Sequence, residues 1–192
     1  RFSVPLRSLP KYVGHAFVAI EDQRFYEHDG VDLKGVAAAI KDNLLGERRG
    51  ASTITQQLVG NMHPTIISRK DMSPMRKLRE QSAAREMEKH YSKEQILEAY
   101  INQIEYGHGW YGTEMAALHY FGKSASQLST AEAATLAAVI NGPSFYDPLK
   151  SPDRVKARRD LVLGLMAAQG YISRAQADAA RSERVVTAPH LG

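Results

Sequence analysis

Cysteine is absent from this 192-residue chain, which excludes disulfides and thiolate-bound metals and says nothing further about compartment. Long apolar runs are missing too. None approaches the roughly eighteen residues of a membrane span, and no signal peptide is present. No stretch alternates apolar and polar residues at strand spacing, and there is no internal repeat or low-complexity run. Neither sign of charge dominates: 25 Lys and Arg face 21 Asp and Glu, a formal net charge of +4. That balance is compatible with anionic lipid, a phosphate-bearing substrate or nucleic acid, and diagnostic of none. What remains is an ordinary globular composition, 43% hydrophobic and 24% charged, long enough for one sizeable core. The chain begins at Arg1, which points to a processed or excised piece whose anchor would lie upstream.

The helical signals run in order. A first helix is expected from about Lys11 into Ala19-Ile20-Glu21-Asp22-Gln23-Arg24-Phe25-Tyr26-Glu27-His28-Asp29-Gly30. At about 100° per residue, Phe17, Val18, Glu21, Phe25 and His28 share one face, so Glu21 sits in an apolar stripe. A carboxylate there needs a partner or a proton-transfer role. Asp32 can cap a second helix over 33–45, with Val36, Ile40 and Leu44 inward. Residues 46–50 read as a basic turn. Thr53 with Gln56 forms a capping box, and Ser52, Thr53 and the first-turn amides then make a donor-rich helix start suited to an anionic oxygen. Read alone, Thr53 is only a cap. Residues 61–73 fit no period; their apolar side chains beside Arg69 and Lys70 suit an anionic membrane surface, or an ordinary loop.

Ser73-Pro74 starts a helix to about Tyr91. On it Glu80 aligns with Arg76, Ala83, Ala84 and Met87, so a second carboxylate lies in an inward stripe beside Arg76 and Lys77. Ser92 with Gln95, Ser129 with Glu132, and Ser173 with Gln176 box three further helices. Residues 105–112 and 142–148 read as ordered Gly/aromatic and Pro-containing loops. The tail from Glu183 reads as a fraying end. The whole is an all-α chain of roughly eight helices.

Paired carboxylates are what glycosyl chemistry needs, one to move a proton at a sugar oxygen and one across a cleft. The Arg76/Lys77 cluster adds counter-charge for an anionic leaving group such as a pyrophosphate ester. Five motifs then stand in order. The first is Glu21, Asp22, Phe25, His28 and Gly30. The second is Gly50, Ser52, Thr53, Gln56 and Gln57, and the third Arg76, Lys77 and Glu80. The fourth runs from Ile96-Leu97-Glu98 through Tyr100, Asn102, Tyr106-Gly107 and Gly112 to Tyr120-Phe121-Gly122. The fifth is Gly142-Pro143-Ser144 with Tyr146 and Pro148. In these the chain closely resembles the peptidoglycan glycosyltransferases of glycosyltransferase family 51, the module of class A penicillin-binding proteins and of monofunctional transglycosylases.

The resemblance implies a single domain over 1–192 with a lysozyme-like all-α fold, a large globular lobe and a smaller membrane-associated jaw lobe over roughly 46–75. It implies lipid II and the nascent glycan strand as partners, at the outer face of the bacterial cytoplasmic membrane. Other cell-wall synthesis proteins are candidate partners; nucleic acid is not. Glu21 would be the general base on the acceptor 4-hydroxyl. Glu80, Arg76 and Lys77, with Ser52, Thr53, Gln56 and Gln57, would hold the donor pyrophosphate or its metal. Asp22, Phe25 and His28 would shape the site around the base, and Asn102 would support it. A divalent ion, Mg2+ or Mn2+, is the implied cofactor, with Glu80 and Asp22 as its protein ligands and no organic cofactor. One position departs: Gly60 stands where the family usually has Lys. A lysozyme-like hydrolase and an inactive lipid II-binding module are the alternative readings.

Overall fold

The computed structural model describes residues 3–44, 52–62 and 74–188. Nine α-helices are found among them: α1 (Lys11–Glu21), α2 (Leu33–Leu44), α3 (Ile54–Met62), α4 (Pro74–His90), α5 (Lys93–Gln103), α6 (Thr113–Phe121), α7 (Thr130–Val139), α8 (Pro152–Ala168) and α9 (Arg174–Arg181). The described residues form no strand, only one isolated bridge between Glu105 and Tyr111. The basic turn at 46–50, the Ser73 cap and most of the irregular segment lie outside the described residues. The jaw-lobe expectation therefore falls largely outside them.

Local chemistry sets many of the helix starts. Thr53 Oγ1 accepts the Gln56 N–H at 3.0 Å while Gln56 Oε1 accepts the Thr53 N–H at 2.8 Å. The same reciprocal pairs form at Ser92/Gln95, Ser129/Glu132 and Ser173/Gln176. Each box satisfies two amides that a helix start leaves without intrahelical partners.

The chain forms two compact units. The first holds residues 1–23 and 101–192. Its centre is α7, where Ala131 and every residue from Ala133 to Val139 are buried. A helix apolar on all faces must be enclosed, and its alanines let α1 and α8 approach closely. The tail does not fray at Glu183. Arg159 on α8, only 1% exposed, donates to the carbonyls of Arg181 and Glu183 and to Asp160 Oδ1, and the Ala188 N–H reaches the Tyr120 carbonyl at 2.9 Å. A buried guanidinium needs several acceptors, and the tail backbone supplies two of them.

The second unit holds residues 24–100, in which α3 packs on α4. Val59 and Ala84 form one small buried cluster at that contact, with Ala83 and Met87 against them. Gly30 is wedged against α4. Its φ is +112°, and a Cβ would lie 2.8 Å from the Ala84 carbonyl, so both backbone and space demand glycine. Helix α2 departs from expectation. Ile40 is 57% exposed and Val36 half-buried, so no described residue of α2 is buried, and the Leu44 side chain lies outside the described residues.

Candidate active site

Glu21 is the last residue of α1, in the first unit. Phe17, Val18 and Ala19 are fully buried and fix that last turn. The Asp22 N–H closes on the Val18 carbonyl at 3.0 Å, and Gln169 Nε2 takes the Ala19 carbonyl at 3.0 Å. Phe17, one turn before Glu21, meets the Tyr106 ring edge-on at 6.3 Å. Burial raises the Tyr106 phenol's pKa, while the Thr113 hydroxyl opposes that weakly, so Tyr106 is a neutral spacer. Glu21 is half-buried on this rigid mount, at the carbonyl end of a helix, a setting that suits a proton acceptor. Asp22 follows it with an extended backbone and is 6% exposed. Asn102, in the same unit, clamps the N-terminal segment through both backbone groups of Val4, at 3.0 and 2.9 Å.

Phe25 and His28 do not continue the α1 stripe. The helix ends at Glu21, and residues 23–30 turn instead, with the Glu27 and His28 amides both on the Arg24 carbonyl. The reason is tertiary: Phe25 is fully buried in the second unit, and Gly30 allows the left-handed turn. Arg24 and the Gly35 N–H both bind Asp32. Burial works to raise the Asp32 pKa, but those hydrogen bonds and the Arg24 charge outweigh it and hold the carboxyl below its usual range.

The second unit gathers the other motif residues. Glu80 on α4 is 4% exposed. Arg76 Nη2 lies 3.2 Å from Glu80 Oε2, and Lys77 Nζ lies 3.4 Å from Oε1. Lys77 Nζ also donates to Ser52 Oγ at 3.0 Å. The second and third motifs thus meet at one ammonium. Thr53 and Gln56 are spent largely on the cap: Thr53 Oγ1 donates to the Gly30 carbonyl at 2.7 Å, which ties α3 to the first-motif turn. Gln57 Oε1 accepts from the Tyr100 hydroxyl at 2.9 Å. At Gly60 a Cβ would lie 4.0 Å from Glu80 Oε2, so the helix face beside the carboxylate carries no side chain of its own.

Two residues that the sequence reading passed over tie α3, α4 and the first-motif turn together. Glu88 on α4 accepts from Lys93 Nζ at 2.7 Å and from Thr55 Oγ1 at 2.9 Å. Lys93 sits at the first position of α5, where a helix dipole repels a cation. That misplacement was the available signal that an acid waits nearby.

The arrangement can do two things chemically: present a half-buried carboxylate, and hold an anion at a hydroxyl-flanked pair of cations. As a ligand of a resident divalent ion, Glu80 does not fit. Both Glu80 oxygens already face cations, and no group of three His, Asp or Glu side chains able to hold a metal gathers among the described residues.

A family described as Transglycosylase matches residues 1–167. Penicillin-binding protein 1F of Bacillus subtilis (strain 168) is 45% identical over 179 residues, which cover 92% of this chain and 24% of that protein. Penicillin-binding protein 1A of Escherichia coli (strain K12) is 41% identical over 187 residues, 96% of this chain and 22% of that protein. The crystal structure of penicillin-binding protein 1A from Haemophilus influenzae matches at a TM-score of 0.60 and 26% identity, over 100% of this chain and 18% of that one. The chain therefore spans about a quarter of the length of the curated relatives it matches.

Proposed function

The chain belongs to the transglycosylase family, a family of glycosyltransferases with an all-α, lysozyme-like fold, and we propose that it polymerises lipid II into glycan strands with inversion. The acceptor 4-hydroxyl oxygen bonds to the donor anomeric carbon as the bond from that carbon to the diphosphate breaks. Glu21 takes the hydroxyl proton, and undecaprenyl pyrophosphate leaves as the anion. Arg76, Lys77 and Ser52 receive the diphosphate; Glu80 aims the two cations and keeps them apart. Thr53 and Gln56 hold the α3 start against the first-motif turn that Phe25 and His28 build, Gln57 ties α3 to Tyr100, and Asp22 and Asn102 shape the surroundings of the base. The observation that carries this reading is the Lys77 ammonium shared between Ser52 and a nearly buried Glu80, because a neutral glycan would need no such cation.

A divalent ion, Mg2+ or Mn2+, would supply further counter-charge for a diphosphate; since both Glu80 oxygens already face cations, no step here runs through it. The jaw lobe over 46–75 and contact with the outer face of the cytoplasmic membrane belong to the same proposal. Exposed Leu33, Ile40, Met62, Met75 and Leu78, all in the second unit, support a surface that meets lipid. No helix of the described residues is long and apolar enough to cross a membrane.

The test is incubation with lipid II and Mg2+ or Mn2+ in detergent, with the product run on a gel. A ladder of glycan polymer is expected. Muropeptide release from purified cell wall would instead identify a hydrolase. Tight lipid II binding without turnover would identify an inactive module, the reading that the bare position at Gly60 favours.

A further inference from the structure

Glu88 is a carboxylate with no part in the chemistry above, yet its side chain is only 7% exposed. Burying it costs several kcal/mol unless it is well paired. Its pairing is specific. Oε2 receives the Lys93 ammonium at 2.7 Å and the Thr55 hydroxyl at 2.9 Å. The same Lys93 Nζ donates to the His28 carbonyl at 2.6 Å and lies 4.6 Å from the centre of the Phe25 ring. His28 Nδ1 in turn accepts the Gly30 N–H at 3.0 Å and lies 3.6 Å from Glu88 Oε2.

These contacts join four segments of the second unit, with Lys93 at the start of α5. Phe25, His28 and Gly30 are the first-motif turn. Thr55 lies on α3, two residues after the Thr53 that holds the Gly30 carbonyl. Glu88 lies on α4, two turns beyond Glu80. The α4 backbone at Ala84, midway between the two acids, is what Gly30 presses against. The turn, the α3 start with Ser52, and the Lys77/Glu80 pair are therefore linked through one run of contacts.

We propose that Glu88 and Lys93 are positioning residues for the transfer reaction: their buried ion pair fixes the first-motif turn and the α3 start in register with the Arg76/Lys77/Glu80 cluster. Neither touches substrate. The idea rests on the proposed function for its kinetic consequence, and on amide exchange for its structural one. A pair that only stabilised the fold would lower the melting temperature and leave kcat untouched in the protein that remains folded.

The test uses the 192-residue protein with Glu88→Gln, Lys93→Met and the double variant, at a temperature where circular dichroism shows all of them folded. Lipid II polymerisation gives kcat and KM separately. Hydrogen exchange reads the Gly30 and Gln56 amides, with buried α7 amides as the reference. Each single variant is expected to lose at least about tenfold in kcat with KM within about twofold, and the double variant to fall no further than the worse single one, because both act through one pair. The Gly30 and Gln56 amides should exchange at least about tenfold faster while α7 is unchanged. Thr55→Val takes away one Glu88 contact without stranding a charge, and keeps the test decisive should a charge variant fail to fold. Wild-type kcat in folded variants, or unchanged exchange at Gly30 and Gln56, overturns the proposal. If the wild type makes no polymer, the functional reading fails, and the exchange rates still decide whether the pair sets the register.

Discussion

Lys77→Met separates leaving-group chemistry from folding, because the two draw on different parts of the same side chain. The Lys77 side chain is 39% exposed and its ammonium sits 3.4 Å from Glu80 Oε1 and 3.0 Å from Ser52 Oγ. A pair exposed to that degree is screened, and its loss costs the fold no more than about 1 kcal/mol. Arg76 stays 3.2 Å from Glu80 Oε2, so the carboxylate is not stranded, and methionine preserves the apolar stem. In the transition state the missing ammonium is a charge-assisted hydrogen bond to the departing diphosphate, worth about 1.5–3 kcal/mol. At 1.36 kcal/mol per decade that is a loss of about 10- to 150-fold in kcat. The assay is initial-rate polymerisation of labelled lipid II in detergent, beside a thermal melt. Lys77→Arg, which keeps the charge, should recover most of the rate. A Lys77→Met enzyme within about threefold of wild type, at unchanged melting temperature, would refute the assignment of this cation to the leaving group.

Arg159→Met should strand the Arg181 and Glu183 carbonyls and release the 183–188 tail, costing about 3 kcal/mol or about 6–12 °C in melting temperature; a melt with limited proteolysis of the tail checks it, and a change under 2 °C would contradict the docking described. His15 stacks on Tyr171 at 4.2 Å, and burial first, then Lys11, holds its pKa below the ordinary 6.5. The unfolded chain therefore takes up this proton first, so His15 contributes stability that is present above pH 6.5 and lost as the pH falls through its lower folded value. Urea midpoints between pH 8 and 5 should decline less in His15→Phe than in wild type, and parallel curves would show that His15 carries none of the slope.

Much of the fold is legible because its signals are local. The four capping boxes need only residues three apart, and Ser151-Pro152 and Gly170 punctuate α8 without help from elsewhere. Glu80 with Arg76 and Lys77 is legible for the same reason, since one helical turn brings them together. What escapes sequence reading depends on distant partners. The end of α1 is held by Gln169, 150 residues away, so the stripe through Phe25 and His28 looks continuous when it is not. The tail is ordered by Arg159, whose acceptors are carbonyls that carry no sequence signature. Ile40 has the spacing of a core residue and is 57% exposed. Glu88 and Lys93 are five apart and read as ordinary charges at a helix junction. Only the cation at a helix N-terminus betrays them.

The role given to Glu21 is exposed most directly by Glu21→Gln, which keeps the shape at the end of α1 and removes its ability to accept a proton. In single-turnover mixing with labelled lipid II, a folded Glu21→Gln protein that still binds the substrate should form its first glycosidic bond at least about a hundred times more slowly than wild type. First-bond formation at the wild-type rate would contradict the account.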